Sequence, residues 1–454
     1  MTTMTRPTPT LSTTPPTRND RTLLLGDLPA LNKDSFKFWS ETGKIGPVVS
    51  LRFGPANMVF VTDADIAQHI FQTNNRNYLK EHNLVKVLET GGDTILFTAE
   101  KEEWMWRRRL MQPAFHRKQI ATFCDVIVEE TEALLAGWQD NTLVDVDAAM
   151  KHLTMMVIGK TMFNVDMAGD SAELKAAYGR FSEFIINRTR HLIKPPLWIP
   201  TKANRQFVAG QAVIQDALMT IIESRRHSAE PHNDLLDMLL AAKLEDTGHT
   251  FTAEQLILEM SQIVFAGHET TAITLTWLLY LLAEHPDVEA KVQAELERVL
   301  AGRTPQMADL SQLTYLNQVI DETLRLYPAA YVTSRESIEA DQLGEYTIKS
   351  RTSVIVNIYG IHHDPRYWEN PEQFDPARFS AEKRKTQHKA AFIPFLIGPR
   401  KCIGEPLSRV EMQLILATLL QRFRFQMVAG TVVEPDAFFV LQPKGGLSMI
   451  AQAR

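Results

Sequence analysis

Between Thr252 and His285 the chain contains no proline, and Pro286 closes the run. Thr252 and Gln255 stand three apart, the spacing of a capping box, so the segment is predicted to be one helix of about thirty residues, on the order of 50 Å long. Its flanks, ILEMSQIVF and ITLTWLLYLL, are apolar and argue for burial on both sides. A helix that long and that buried has to cross a core. With 454 residues, of which 44% are hydrophobic and 22% charged, the chain has the composition of a globular protein able to build one.

The middle of that helix reads AGHETT. Gly267 costs roughly 1 kcal/mol of helix stability relative to Ala. Glu269, Thr270 and Thr271 add polar groups to an apolar helix, and departures of this kind concentrate at functional sites. A Thr hydroxyl bonded back to the preceding turn is expected to open or bend the helix, leaving room for a small ligand and ordered water. His268, one of thirteen histidines, is assigned no role.

A second stretch, FLIGPRKCIG from Phe395 to Gly404, places Cys402 in a basic loop before a predicted helix, SRVEMQLILATLLQRF. Positive charge from Arg400 and Lys401 and a helix N-terminus favour a thiolate, the form that binds metal. Gly398 and Gly404 give the loop backbone freedom and let it approach a flat ligand closely, and Phe395 is placed to shield the sulfur. The only other cysteine is Cys124, so the chain is no disulfide scaffold and suits a reducing cytoplasm. The net charge of −6 argues against nucleic acid as a general partner.

The pattern F-x-x-G-x-R-x-C-x-G resembles the haem-binding signature of the cytochrome P450 family, the haem-thiolate monooxygenases. AGHETT is similar to that family's oxygen-binding motif, in which the acid and the first Thr, here Glu269 and Thr270, organise proton delivery. In DETLRLYP, Glu322 and Arg325 match the family's E-x-x-R pair, and Arg378 in FDPARF matches the Arg that completes a buried structural network. Trp104 and Arg108 in EEWMWRRRLMQPAFH match its W-x-x-x-R contacts to the haem propionates, with Arg400 and Arg335 as further contacts. The resemblance therefore implies haem b (iron protoporphyrin IX) with Cys402 as axial iron ligand. It also implies a mainly α fold with small β-sheets: a triangular helical domain with a β-rich lobe and one long central helix, spanning residues 21–454 as a single domain.

Alternating runs support the small sheets. Val48 to Arg52 and Met58 to Thr62 read as a hairpin about Gly54-Pro55-Ala56-Asn57, Tyr346 to Ile348 and Ser353 to Ile358 as strands, and Phe438 to Gln442 with Leu447 to Ile450 as a C-terminal hairpin. Residues 1–20 are rich in Thr and Pro, read as a disordered tail, and contain no signal-peptide core or spanning helix. His362-His363-Asp364 is read as a turn without a metal, since adjacent strand residues face opposite ways.

The resemblance implies insertion of one oxygen atom from O2 into a hydrophobic substrate, with electrons originating from NAD(P)H. These arrive from a ferredoxin or flavodoxin with its reductase, because the chain carries no flavin or cluster module of its own. Arg107, Arg109, Lys383, Arg384, Lys385 and Lys401 are assigned to the docking face of an acidic donor. Leu96, Phe97, Val264, Ala266, Ala330, Tyr331, Val332, Phe438 and Phe439 are assigned to an apolar substrate pocket that suits a fatty acid, terpenoid or steroid-like molecule. A monomer in the cytoplasm, without a transmembrane anchor, is expected. Two alternatives share Cys402: a haem-thiolate peroxygenase, which needs no Glu269-Thr270 pair, and a non-enzymatic haem sensor.

Overall fold

The run opened by Thr252 folds as one unbroken helix, Ala253–Glu284. Gln255 N–H donates to Thr252 Oγ1 (3.2 Å), and Thr252 N–H donates back to Gln255 Oε1 (3.0 Å). His285 is the C-cap, and Pro286 opens the next helix, where its missing N–H costs nothing. The Thr hydroxyls bond back as expected, Thr270 to the Ala266 carbonyl (2.8 Å) and Thr274 to that of Thr270 (2.9 Å). They do so without opening the helix, because each hydroxyl shares a carbonyl within the helical turn instead of breaking it. Gly267 has a packing reason. A Cβ there would lie 2.9 Å from Ile158 Cδ1 on the Val146–Phe163 helix, and one residue on, Thr154 Oγ1 donates to the His268 carbonyl (3.0 Å).

The computed structural model describes residues 14–82, 85, 94–167, 172–190, 195–227, 232, 234–437 and 439–454. They group into two compact units. The larger takes the described residues of 83–330, with 372–386 and 402–454, and contains the long helix. Its core joins Leu110, Met155, Met162, Leu256, Met260 and Val264 in one apolar cluster.

This unit carries two small sheets. In the first, strands β4 (Thr142–Asp145), β12 (Ser448–Ala453) and β9 (Phe423–Met427) pair antiparallel with β12 in the centre. In the second, β10 (Pro435–Ala437) pairs with β11 (Leu441–Pro443). The C-terminal hairpin predicted across Pro443-Lys444-Gly445-Gly446 therefore does not form. The segment from Ser448 satisfies both its edges against β4 and β9, while the turn's two positive-φ glycines (+79° and +82°) redirect the chain away from β11.

The smaller unit comprises the described residues of 1–82 with 331–371 and 387–401. It is built on a five-stranded sheet in the order β1 (Val48–Phe53), β2 (Ala56–Val61), β8 (Ser353–Asn357), β5 (Val332–Ser337), β3 (Tyr78–Lys80). Among these five strands β2 and β8 pair parallel and the other neighbours antiparallel. The β1–β2 hairpin matches its sequence signal, with the turn shortened to Gly54-Pro55. Strands β6 (Asp341–Leu343) and β7 (Tyr346–Ile348) form a separate pair. Residues 14–20, read from composition as part of a disordered tail, are held in place. Ser50 N–H donates to the Pro16 carbonyl (2.8 Å), and the buried Arg18 guanidinium reaches Asp20 (2.8 Å) and Thr42 Oγ1 (2.8 Å). Pairing to an edge strand needs no hydrophobic periodicity, so composition did not reveal it.

Candidate active site

Cys402 precedes the Glu405–Arg422 helix, whose N-cap is Gly404. The first backbone N–H groups of a helix have no partner within it, and here those of Gly404 and Glu405 are directed at the Cys402 sulfur. Burial nevertheless pushes the thiol up, outweighing these N–H groups and the Arg108 guanidinium, while the Glu405 carboxylate adds to the rise. These N–H groups and Arg108 by themselves therefore do not offset the burial of the sulfur. A metal cation at the sulfur would supply the missing charge, since a coordinating thiol is deprotonated outright.

Protein surrounds this residue, yet solvent reaches it. A Cβ on Gly404 would stand 3.9 Å from the sulfur with nothing else within 4 Å, so the glycine keeps that side open. Gly404 has an ordinary helical φ of −81°. Gly398, in contrast, sits at φ +78°, and a Cβ there would fall 2.0 Å from the Phe71 carbonyl oxygen, so it serves the packing of the smaller unit. In that unit Phe395 and Arg400 are half-buried. Arg335, 4% exposed on β5, donates to the Ser334 carbonyl (2.8 Å) and stacks over the Phe71 ring.

Trp104 and Arg108 occupy successive turns of one face of the Lys101–Met111 helix, both half-buried. Burial lowers the Arg108 pKa and the nearby Cys402 raises it. A reachable thiol at a helix N-terminus, with a guanidinium beside it able to take a carboxylate, fits a haem with its iron and propionates.

On the long helix, Ala266 is exposed and Thr270 half-buried, four apart on one face, while Val264, Phe265 and Glu269 are buried. Burial pushes the Glu269 carboxyl up; Lys151 opposes the rise and Asp147 adds to it. Among the described residues its Oε2 has no hydrogen-bond partner. Thr271 Oγ1 lies 3.2 Å from Ser408 Oγ, joining this region to the helix that follows Cys402.

The Glu-Arg-Arg network is present. Arg325 donates through Nε and Nη2 to Glu322 (2.7 and 2.8 Å), Asp375 N–H donates to Glu322 Oε1 (2.9 Å), and Arg378 Nε lies 3.3 Å from the same oxygen. Glu322 and Arg325 have no solvent exposure. Sequence reasoning missed the neighbouring Asp321, which accepts from Arg409 Nη1 (2.8 Å) and also pairs with Arg384. Arg409 Nε in turn reaches Glu405 (3.3 Å), so the network extends to the first turn of the Cys402 helix. An acid directly beside the E-x-x-R pair was the available signal.

Several expectations need correction. Arg107 is 2% exposed and bonded inward to Glu259 (2.6 Å) and Glu103 (2.8 Å), so it belongs to no docking face. Arg109, Lys383 and Arg384 are each partnered by an acid, Asp246, Asp375 and Asp321, which weakens the basic patch. Val264 has no accessible surface and packs in the core cluster, leaving nothing to offer a ligand. Phe439 packs on Phe265 with ring centroids 5.1 Å apart, and Leu96 and Phe97 lie on the turn before the Lys101–Met111 helix. Ala330 is exposed at the end of its unit's 83–330 segment, and Tyr331 and Val332 lead into β5 in the smaller unit. Phe438 lies outside the described residues. His362 Nε2 accepts from Ile393 N–H (2.9 Å), His363 Nδ1 contacts the Tyr359 carbonyl, and Asp364 pairs with Arg366.

The sequence model of the family described as Cytochrome P450 matches residues 15–449. The chain belongs to the cytochrome P450 family. The match runs through both units of this P450. Cyclooctat-9-en-7-ol 5-monooxygenase of Streptomyces melanosporofaciens is 31% identical over 94% of each chain. Cyclooctatin synthase of the same organism is 32% identical over 95% of this chain and 94% of its own. Carotene epsilon-monooxygenase of Arabidopsis thaliana is 30% identical, covering 90% of this chain and 80% of its own. The crystal structure of the haem domain of cytochrome P450DA matches with a TM-score of 0.89 at 25% identity, covering 97% of both chains. This P450 is a haem-thiolate monooxygenase that uses O2, a small substrate and electrons from a redox partner. Among its described residues no helix is long and apolar enough to cross a membrane.

Proposed function

We propose that this P450 oxygenates a largely hydrocarbon, terpenoid-type substrate, with haem b bound through Cys402. The reachable Cys402 sulfur at a helix N-terminus beside Arg108 carries the cofactor reading. The substrate class is supported by relatives named for cyclooctat-9-en-7-ol and carotene, and by the apolar surroundings of Phe439, which packs on Phe265 as Phe181 also does. When bound, the haem supplies O2 reduction and transfer of one oxygen atom, with two electrons and two protons releasing the other as water.

The chain supplies the rest. By the family's motifs, Cys402 would hold the iron, Trp104, Arg108, Arg335 and Arg400 would take the propionates, and Phe395 would shield the sulfur. Glu269, raised by burial, keeps a proton on its carboxyl at higher pH than an exposed Glu, and together with Thr270 organises proton delivery. Leu96, Phe97, Ala266, Ala330, Tyr331, Val332 and Phe439 exclude water and set the fit, while Glu322, Arg325 and Arg378 support the structure. Electrons reach this cytoplasmic monomer from NAD(P)H through a ferredoxin or flavodoxin and its reductase, with exposed Lys385 contributing to docking. Residues 21–454 act as one catalytic domain.

The reduced carbon-monoxide complex of the purified protein should show the far-red-shifted Soret band of thiolate ligation, lost in Cys402→Ala and kept in Cys124→Ala. Spectral titration should find carbocyclic and polyene terpenoids binding more tightly than fatty acids, with product formed when a surrogate redox chain is added. A histidine-type spectrum overturns the ligand assignment. Preference for fatty acids overturns the substrate class.

A further inference from the structure

The turn that presents Leu96 and Phe97 closes on itself. Ile95 N–H donates to Thr98 Oγ1 (3.1 Å), and the N–H groups of Thr98 and Ala99 donate to the Ile95 carbonyl (2.9 and 2.7 Å). These bonds leave the Leu96 N–H pointing outward, where it donates to both carboxylate oxygens of Glu259 on the long helix (2.9 and 3.1 Å). Phe97 N–H is directed at Gln262, one helical turn further on (3.4 Å).

Glu259 is 1% exposed, a charge in the apolar first half of the helix. Its partner is Arg107, which donates to it through Nη1 (2.6 Å). Arg107 also donates to Glu103 (3.1 and 2.8 Å) and Thr94 Oγ1 (3.4 Å), lies over the Trp106 ring, and sits beside a Thr94–Glu103 hydrogen bond. Burying an ion pair is costly, and well-packed apolar side chains of similar volume generally serve stability as well or better. An apolar pair, however, offers no acceptor for a backbone N–H. The turn's internal bonds maintain its shape without Glu259, so the carboxylate determines where the turn sits, not whether it forms.

We propose that Glu259, clamped by Arg107, is a positioning residue for substrate specificity: it fixes the placement of Leu96 and Phe97 and thereby the bulk of substrate the site admits. This rests on the reading of Leu96 and Phe97 as substrate-lining. Phe97 is 36% exposed on an otherwise anchored turn, and Leu96 is partly buried against the core cluster.

The test uses the haem-loaded full chain as wild type, Glu259→Gln, and the double variant Glu259→Met/Arg107→Met, which removes the pair without orphaning a charge. Amide exchange is followed over residues 94–99, and imidazole and the bulkier phenylimidazole are titrated as probes. Loss of the clamp should accelerate exchange at Leu96 by about tenfold, the scale of a hydrogen bond to a charged group. The ratio of the two dissociation constants should shift by about tenfold, with imidazole's own constant unchanged. Leu96→Ala and Phe97→Ala test the underlying reading. If neither alters the ratio, these residues do not line the site and the basis fails. If they alter it while both clamp variants leave it unchanged, the lining reading stands and the positioning role is refuted. Equal weakening of both probes in the double variant, together with a lower unfolding midpoint, would show general loosening and also refute it.

Discussion

Replacing Glu322 by Gln should destabilise the protein more than replacing Arg378 by Met, although both belong to one network. Glu322 is the shared acceptor of Arg325 Nε and Nη2 and of the Asp375 N–H, with Arg378 close by, and it is fully buried. An amide keeps the shape but removes the charge and turns one acceptor into a donor facing guanidinium groups. Breaking a buried pair in this way costs about 3–5 kcal/mol. Removing Arg378, which is 10% exposed and 3.3 Å away, leaves Glu322 with Arg325 and the Asp375 N–H. That loss is smaller, about 1 kcal/mol, since the 3.3 Å contact at Nε is an ion pair and not a hydrogen bond. A chain of 454 residues unfolds with an entropy near 1 kcal/mol per degree, so the midpoints should fall by about 3–5 °C and about 1 °C respectively. Both are compared by calorimetry at one scan rate, because proteins of this size commonly unfold irreversibly. The yield of thiolate-type spectrum per protein should fall in the same order, since Asp321, next to Glu322, holds Arg409 and through it Glu405 of the Cys402 helix. If Arg378→Met is the worse variant, or the Glu322→Gln midpoint stays within a degree of wild type, the shared-acceptor argument is wrong.

Burial pushes the Glu411 carboxyl from an ordinary value of 4.5 up to about 8. The folded protein then binds the extra proton between those values, so stability falls as pH rises from about 4.5 to 8, by about 3 kcal/mol at pH 7. Glu411→Gln should match wild type near pH 4.5 and exceed its midpoint by about 3 °C at neutral pH; a pH-independent difference would show an ordinary carboxyl. Thr270→Ala should keep haem and substrate binding but release more hydrogen peroxide per NAD(P)H consumed. Unchanged coupling would remove Thr270 from proton transfer.

Local signals were legible and long-range ones were not. The capping box at Thr252 and the first proline at Pro286 defined the long helix to within a residue, because both act through their own turn. Glu322 and Arg325 were legible for the same reason, while Arg378 came only through the family motif. The β4–β12 pairing was invisible because its partners are some three hundred residues apart and each strand alone is short. Arg107, Arg108 and Arg109 show the physical limit most plainly. In sequence they are one basic run, but successive helix positions rotate by about 100°, so neighbours meet different surroundings. Arg107 turns inward to an acid 152 residues away, Arg108 takes a half-buried place near Cys402, and Arg109 meets Asp246 at the surface. A single-residue pattern does not distinguish these fates. The pairing of two anomalies does: a lone Glu within the apolar ILEMSQIVF requires a cation, and a helix carrying three adjacent arginines has one whose direction differs from its neighbours'. Buried charge in an apolar run is thus a signal about a distant partner, and here that partner belongs to the helix that also carries Trp104 and Arg108.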